Sequence, residues 1–176
     1  MADGPGGAGE IEIRPYRETD SPAVGRLIAD TFSEFNLSSV GPENRDLLLG
    51  PFRHSGSVET AHQEAIAQAI RSEMVFVAEV DGEIAGVLRG RATRLGSLFV
   101  RGDLHRQGIG RRLVACFEQA CAEQGGGTIK VAATLYAVPF YLEMGYKRTT
   151  GVRAYHAFGA SGLEYQPMKK VLGSLS

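Results

Sequence analysis

Tryptophan is absent from the 176 residues, and cysteine nearly so, with Cys116 and Cys121 the only two. They stand five apart in a stretch that reads as a helix, so their side chains leave different faces and no bridge between them is expected. A chain without a disulfide framework fits a reducing cytoplasm, and both thiols read as packing residues. No apolar run approaches the roughly 20 residues of a membrane span. The opening MADGPGGAGE has neither a basic start nor an apolar core, so it is not a secretory signal; its glycines and proline read as a mobile tail. We expect tails at 1–9 and 173–176 and one domain from 10 to 172. The four histidines (His54, His62, His105, His156) form no HExxH, and the cysteines do not cluster with them, so no metal site is expected.

What is present is ordinary in amount and uneven in place. Hydrophobic residues make up 43 % and charged residues 22 %, as in a soluble globular domain rather than a disordered chain. Net charge is −1, yet Arg89 to Arg112 holds seven arginines against one acid, Asp103, which is +6 locally and leaves −7 elsewhere. A compact arginine cluster on a near-neutral chain points to a small anionic ligand more than to a long polyanion.

The pattern along the chain is α+β. IEIRPYR alternates as an opening strand. Asp20 or Ser21 can cap a helix with Pro22 just inside, and Val24, Leu27, Ile28, Thr31, Phe32 and Phe35 give it one buried stripe. Asn36 to Gly56 reads as a long loop with a short helical turn at most, and long loops in compact domains tend to be functional. Val58 to Arg71 reads as a second helix. MVFVAEV, Asp81-Gly82 and EIAGVLRG make a hairpin, and RLGSLFV (Arg94 to Val100) adds a third strand to an antiparallel meander. Ile109 to Gln124 reads as a helix stopped by three glycines, Thr128 to Ala133 as a strand, and Ala137 to Met144 as a short helix. Tyr146 to His156 and Glu164 to Leu172 read as two last strands. The order is β-α-α-β-β-β-α-β-α-β-β around one mixed sheet.

The informative stretch is LHRQGIGRRL, where Gly108 and Gly110 stand at a strand-to-helix junction. The first amides of a helix lack internal partners and, with the helix dipole, form an anion site. Glycine keeps side chains out of the way there. A P-loop is excluded, because counting from Gly102 its second glycine falls on Gln107, and no lysine is near. A dinucleotide GxGxxG is excluded, because Leu113 stands at its third glycine and the preceding strand belongs to a meander. Gly159-Ala160-Ser161-Gly162-Leu163 misses the last glycine of a GxSxG elbow and reads as a turn. What remains is a [QR]xxGxG-like loop, His105-Arg106-Gln107-Gly108-Ile109-Gly110.

From Ile11 to about Leu172 the sequence resembles the GNAT family of acetyl-CoA-dependent N-acetyltransferases. Two segments carry the resemblance: SLFVRGDLHRQGIGRRLV, and TLYAVPFYLEMGYKR, similar to NxxAxxFYxxxGF with Thr134 at the usual asparagine. The resemblance implies a GNAT-like, mostly antiparallel mixed sheet with helices on both faces. It implies that the amides from Arg106 through Gln107, Gly108, Ile109 and Gly110 to Arg111 cradle the CoA pyrophosphate, with His105 ordering the loop or facing solvent. It implies that Leu98, Phe99 and Val100 offer backbone groups to the pantetheine amides, while Ala137 and Phe140 flank the cofactor. The contact at Thr134 is in doubt, because a hydroxyl is shorter than a carboxamide and has fewer donors. Tyr141 stands at the general-acid position; a tyrosine at this helical spacing is otherwise a core residue with a wet hydroxyl.

The acceptor amine must be neutral to attack, yet RLGSLFV has no acid. Glu79 and Glu83 flank the hairpin turn, too remote to serve. Glu34, His105 and His156 are candidates, and a water-mediated base is the leading reading. By resemblance the acceptor is lined by Phe32, Glu34, Phe35, Tyr136, Arg153, Tyr155, His156 and Phe158. It would be a small-molecule or protein amine, and a homodimer through the final strands follows from family habit. Two other readings stay open: a non-catalytic acyl-CoA sensor, and a nucleic-acid-binding module using the arginine cluster. The latter wants a broader basic face than this charge gives, so neither nucleic acid nor membrane is the expected partner.

Overall fold

The structure, a computed structural model, describes residues 9–156 and 159–173. The expected tails, apart from Gly9 and Gly173, and Phe158 lie outside the described residues. Strand β1 (Ile11–Pro15) leads to α1 (Ser21–Thr31), where Pro22 occupies the first turn and Val24, Leu27, Ile28 and Thr31 are buried. The apolar stripe runs past α1 into one π-helical segment, Phe32–Asn36.

Asn36 to Gly56 is not the loop expected from sequence. It contains α2 (Pro42–Leu49) and a tight 3-10 turn at Gly50–His54. Pro42 presets the first helical turn. Of the eight residues of α2 only Leu49 is buried, so no helical stripe marks it in the sequence. Helix α3 (Thr60–Ile70) buries Ile66 and Ile70, one turn apart.

Then β2 (Met74–Val80), β3 (Glu83–Arg91) and β4 (Arg94–Val100) form the meander. Asp81 and Gly82 take φ of 52° and 78°, as a type I′ hairpin turn requires. Helix α4 (Ile109–Glu123), β5 (Thr128–Thr134) and α5 (Val138–Glu143) follow. The single strand expected over Tyr146 to His156 is instead two short ones, β6 (Lys147–Arg148) and β7 (Arg153–Ala154), each pairing with β8 (Glu164–Val171). Thr149 to Val152, with Gly151 among them, interrupt what reads as one run.

The sheet runs β1-β2-β3-β4-β5-β8-β6, with β7 also on β8, and every pairing is antiparallel except β4 with β5. Two cores lie on its two faces. One packs α4 and α5 through Ile109, Leu113, Phe117, Val138 and Tyr141 against Leu88, Leu95 and Ile129. The other packs α1 and α3 through Val24, Ile28, Ile66 and Ile70 against Val77 and Val87. The mixed sheet with helices on both faces is thus the α+β architecture expected. No helix among the described residues is long and apolar enough to cross a membrane.

Candidate active site

The parallel seam between β4 and β5 is short. Only Arg94 with Lys130 and Leu95 with Val131 are paired, helped by the Lys130 amide donating to the Thr93 carbonyl. Beyond Leu95 the two strands separate and a gap opens. A bulge marks the place: Arg89 faces Ser97 and Gly90 faces Leu95, leaving Gly96 without a partner on β3. The Arg101 amide donates to the Ala85 carbonyl, so alternation turns the polar groups of Phe99 toward β3 and those of Leu98 and Val100 into the gap. Leu98 therefore offers backbone groups there, as does the Val100 amide. The Val100 carbonyl is already engaged, with the His105 Nε2 at 2.7 Å.

At the wide end of the gap stands the glycine loop. Arg106 has φ 63° and Gly108 has φ 84°, two left-handed residues with one residue between them at the head of α4. Such alternation curls consecutive amides inward as an anion nest. None of the amides from Arg106 to Arg111 donates to a protein acceptor among the described residues; the first to do so is Arg112, to Gly108 at 3.0 Å. Ile109 turns its side chain into the core, so it contributes an amide and no bulk to the loop. Arg106, Gln107 and Arg111 are exposed. Arg106 is strained for a residue with a β-carbon, and such strain gathers at ligand-binding loops.

Helix α5 stands beside this loop. A β-carbon on Gly110 would lie 3.3 Å from the Phe140 ring and 3.7 Å from Val100, so glycine lets α5 approach. Tyr141 follows, its ring 5.1 Å from that of Phe140 and 5.5 Å from that of Tyr146, all edge-on. It is 4 % exposed. Burial alone pushes its phenol well above the ordinary range, with no charge or hydrogen bond contributing. Ala137, half-buried, packs on the same core.

The π-helical segment bridges the gap from the α1 face. Phe32 sets its ring edge-on to Phe99 at 5.7 Å. Phe35 stands 4.6 Å from the His105 ring, after β4, and 5.4 Å from the Tyr136 ring, after β5. Asn36 Oδ1 accepts a 2.6 Å hydrogen bond from Thr134 Oγ1 at the end of β5. Asn36 was not recognisable from sequence as a site residue. It sets a carboxamide beside Thr134, and only the fold brings the two together.

Glu34 is exposed beside Gly102. His156 is exposed after β7 and joins none of the cluster's ring contacts. Glu79 pairs with Arg14 and Glu83 with Arg101, and Glu83 lines the groove beside Glu34 and Phe35. Arg101 is further tied to Asp103, so the arginine cluster is not one free basic face. A groove of about 980 Å³ lined by Leu27, Thr31, Glu34, Phe35 and Gly102 borders the bridge but includes neither the loop amides nor Tyr141.

Residues 51–172 match the family model described as acetyltransferase (GNAT) domain. The chain belongs to the GNAT family. It is an acyltransferase of that family, and the match runs from the turn after α2 to the end of β8, across the loop, the gap and α5. No curated protein matches it in sequence. Its fold is similar to a GCN5-related N-acetyltransferase from Rhodopseudomonas palustris, with TM-score 0.74 and 18 % identity over 96 % of this chain and 100 % of that one. It is similar too to the PaiA N-acetyltransferase of Thermoplasma acidophilum in complex with coenzyme A, with TM-score 0.62, 16 % identity, and 93 % and 99 % of the two chains covered. The ribosomal-protein-S18-alanine N-acetyltransferase of Escherichia coli gives TM-score 0.61 and 16 % identity over 95 % and 96 %.

Proposed function

We propose that this GNAT protein transfers an acetyl group from acetyl-CoA to a primary amine, by direct attack of the amine on the thioester. The observation that carries the reading is the run of unpaired amides from Arg106 to Arg111, curled by two left-handed residues beside a gap in the sheet. That concavity fits a diphosphate, and the coenzyme A complex of the similar Thermoplasma fold agrees with it. The cofactor supplies an activated acyl thioester.

The chain's own groups then divide the work. Loop amides hold the diphosphate, and the Leu98 polar groups and the Val100 amide align the pantetheine along β4, while Phe99, expected from sequence to join them, spends its polar groups on β3. Ala137 and Phe140 wall it from the α5 side. A backbone amide next to the Gly96 bulge stabilises the negative charge that grows on the carbonyl oxygen. Tyr141, kept neutral by burial, donates its proton to the leaving sulfur.

On the amine side, Phe32, Glu34, Phe35 and Tyr136 border the entry. Glu34 and His156 are exposed and His105 is engaged with Val100, so the amine loses its proton through water. A screen of amines with acetyl-CoA, read by release of free thiol alongside calorimetry of CoA binding, tests this. Thiol release with at least one amine is expected; silence across amines with no CoA binding ends the reading.

A further inference from the structure

Arg89 lies on β3 two residues after Val87, on the face that packs against α1 and α3. Its Nε donates to the Ser97 hydroxyl at 2.9 Å, Nη1 donates to the Ala69 carbonyl, and its guanidinium stands 5.9 Å from the Phe52 ring centre. Every one of these partners is uncharged. Among the described residues no carboxylate pairs with Arg89, whereas Arg14, Arg71 and Arg101 each have one. Burial alone acts on its ionisation, lowering it, and no acid offsets that. A half-buried guanidinium stays charged, and the last turn of α3 and the Phe52 ring offset that charge in part, with no carboxylate to complete the pairing.

Ser97 is the β4 residue next to the Gly96 bulge, where the seam ends and the gap begins. The anion loop and Tyr141 belong to the α4 side. The opposite side holds Arg89 under α1 and α3, where Arg89 and Ser97 are both partly exposed, and it is the side on which an acceptor would approach the thioester. An ammonium entering there alone would meet a like charge. An acceptor carrying its own carboxylate would supply the counter-ion. One strand width, about 4.8 Å, separates β3 from β4, so amine and carboxylate would be a few bonds apart.

Resting on the acetyl-transfer reading, we propose that Arg89, held by Ser97, binds the carboxylate of the acceptor, and that the acceptor is a small amino acid–like amine. Free amino acids and their carboxamides are the probes, for example leucine against leucinamide and β-alanine against β-alaninamide. The carboxamides have the less basic nitrogen, so amine basicity does not favour the acids. The wild type is expected to favour at least one acid over its carboxamide by about 10- to 100-fold in kcat/KM, mainly through KM, as one charge-assisted pair gives. In Arg89→Gln that ratio should fall toward one. Should Arg89→Gln not fold, Ser97→Ala, which loosens the guanidinium, should lower the ratio severalfold.

A wild type that is indifferent between the members of each pair or prefers the carboxamides overturns the proposal. So does a variant that slows both members equally. Acetylation of other amines with no carboxylate-bearing amine accepted overturns it while leaving acetyl transfer intact. Failure to bind CoA overturns both.

Discussion

The Phe140 ring lies 3.3 Å from the point that a β-carbon on Gly110 would occupy. Gly110→Ala therefore moves Phe140 by a few tenths of an ångström, and Tyr141 with it. Alanine's better helix propensity, worth about 1 kcal/mol, offsets the crowding, so thermal stability should change little. Turnover should fall about tenfold, since small misplacements of reacting groups are costly. Paired melting and steady-state measurements check the separation.

Gly108 gives the opposite pattern. No heavy atom lies within 4 Å of a β-carbon placed there, so Gly108→Ala crowds nothing, but its φ of 84° strains any L-residue. A stability loss of about 1–2 kcal/mol is expected by denaturant titration. CoA affinity measured by calorimetry should drop as the nest loses its curl.

Tyr141→Phe keeps the ring in its cluster and removes the proton donor. We expect CoA binding to persist and turnover to fall by at least about 100-fold, the lower end of the range for general acid catalysis. Unchanged turnover at neutral pH would remove the phenol from the mechanism.

Alkali should unfold the protein early. Burial raises the phenols of Tyr141 and Tyr146, and pushes the Cys121 thiol up to about 11. Groups raised in the folded state hold their protons while the unfolded chain releases them. Their contribution is complete below the unfolded values, about 8.5 for a thiol and 10 for a phenol, and is lost as pH rises through the folded ones. Urea midpoints from pH 8 to 11 should fall steadily, and less steeply in Tyr146→Phe.

Acid acts through Asp20. Its carboxylate accepts two hydrogen bonds from Arg14, at 2.8 and 2.9 Å, and one from the Arg17 amide at 2.8 Å. These bonds, Arg14 first, hold its pKa below the usual range. The stability they give is present above the unfolded value of about 3.9 and is lost as pH falls through the folded one. Asp20→Asn should cost about 1–3 kcal/mol at pH 7 and less at pH 2, measured by denaturant titration at both.

Where neighbours in sequence decide the geometry, the chain was legible. Asp81-Gly82 announced a turn with positive φ, and Gly108 with Gly110 announced amides bare enough for an anion. The resemblance at TLYAVPFYLEMGYKR led to Tyr141 beside the loop. Helix α2 escaped because Leu49 alone is buried, and a helix without a stripe has no period to read. Asn36 and Thr134 are 98 residues apart, and nothing local in either announces the bond between them. Arg89 had a faint signal, since a charge two residues from Val87 on a strand points to the same buried face. The glycine inside RLGSLFV was a second one, because a mid-strand glycine often marks a bulge.

Two residue pairs hold β4 to β5, so hydrogen bonding alone makes the sheet two ribbons joined at a hinge. The common cores and the clasp of Asn36 on Thr134 keep the ribbons from swinging apart. A polyamide arm laid along β4 would act as a wedge and a weld together, filling the missing rungs of the ladder. Amide exchange in β5 and β8 should slow when CoA binds, although the loop that grips the ligand lies on the far side of that hinge.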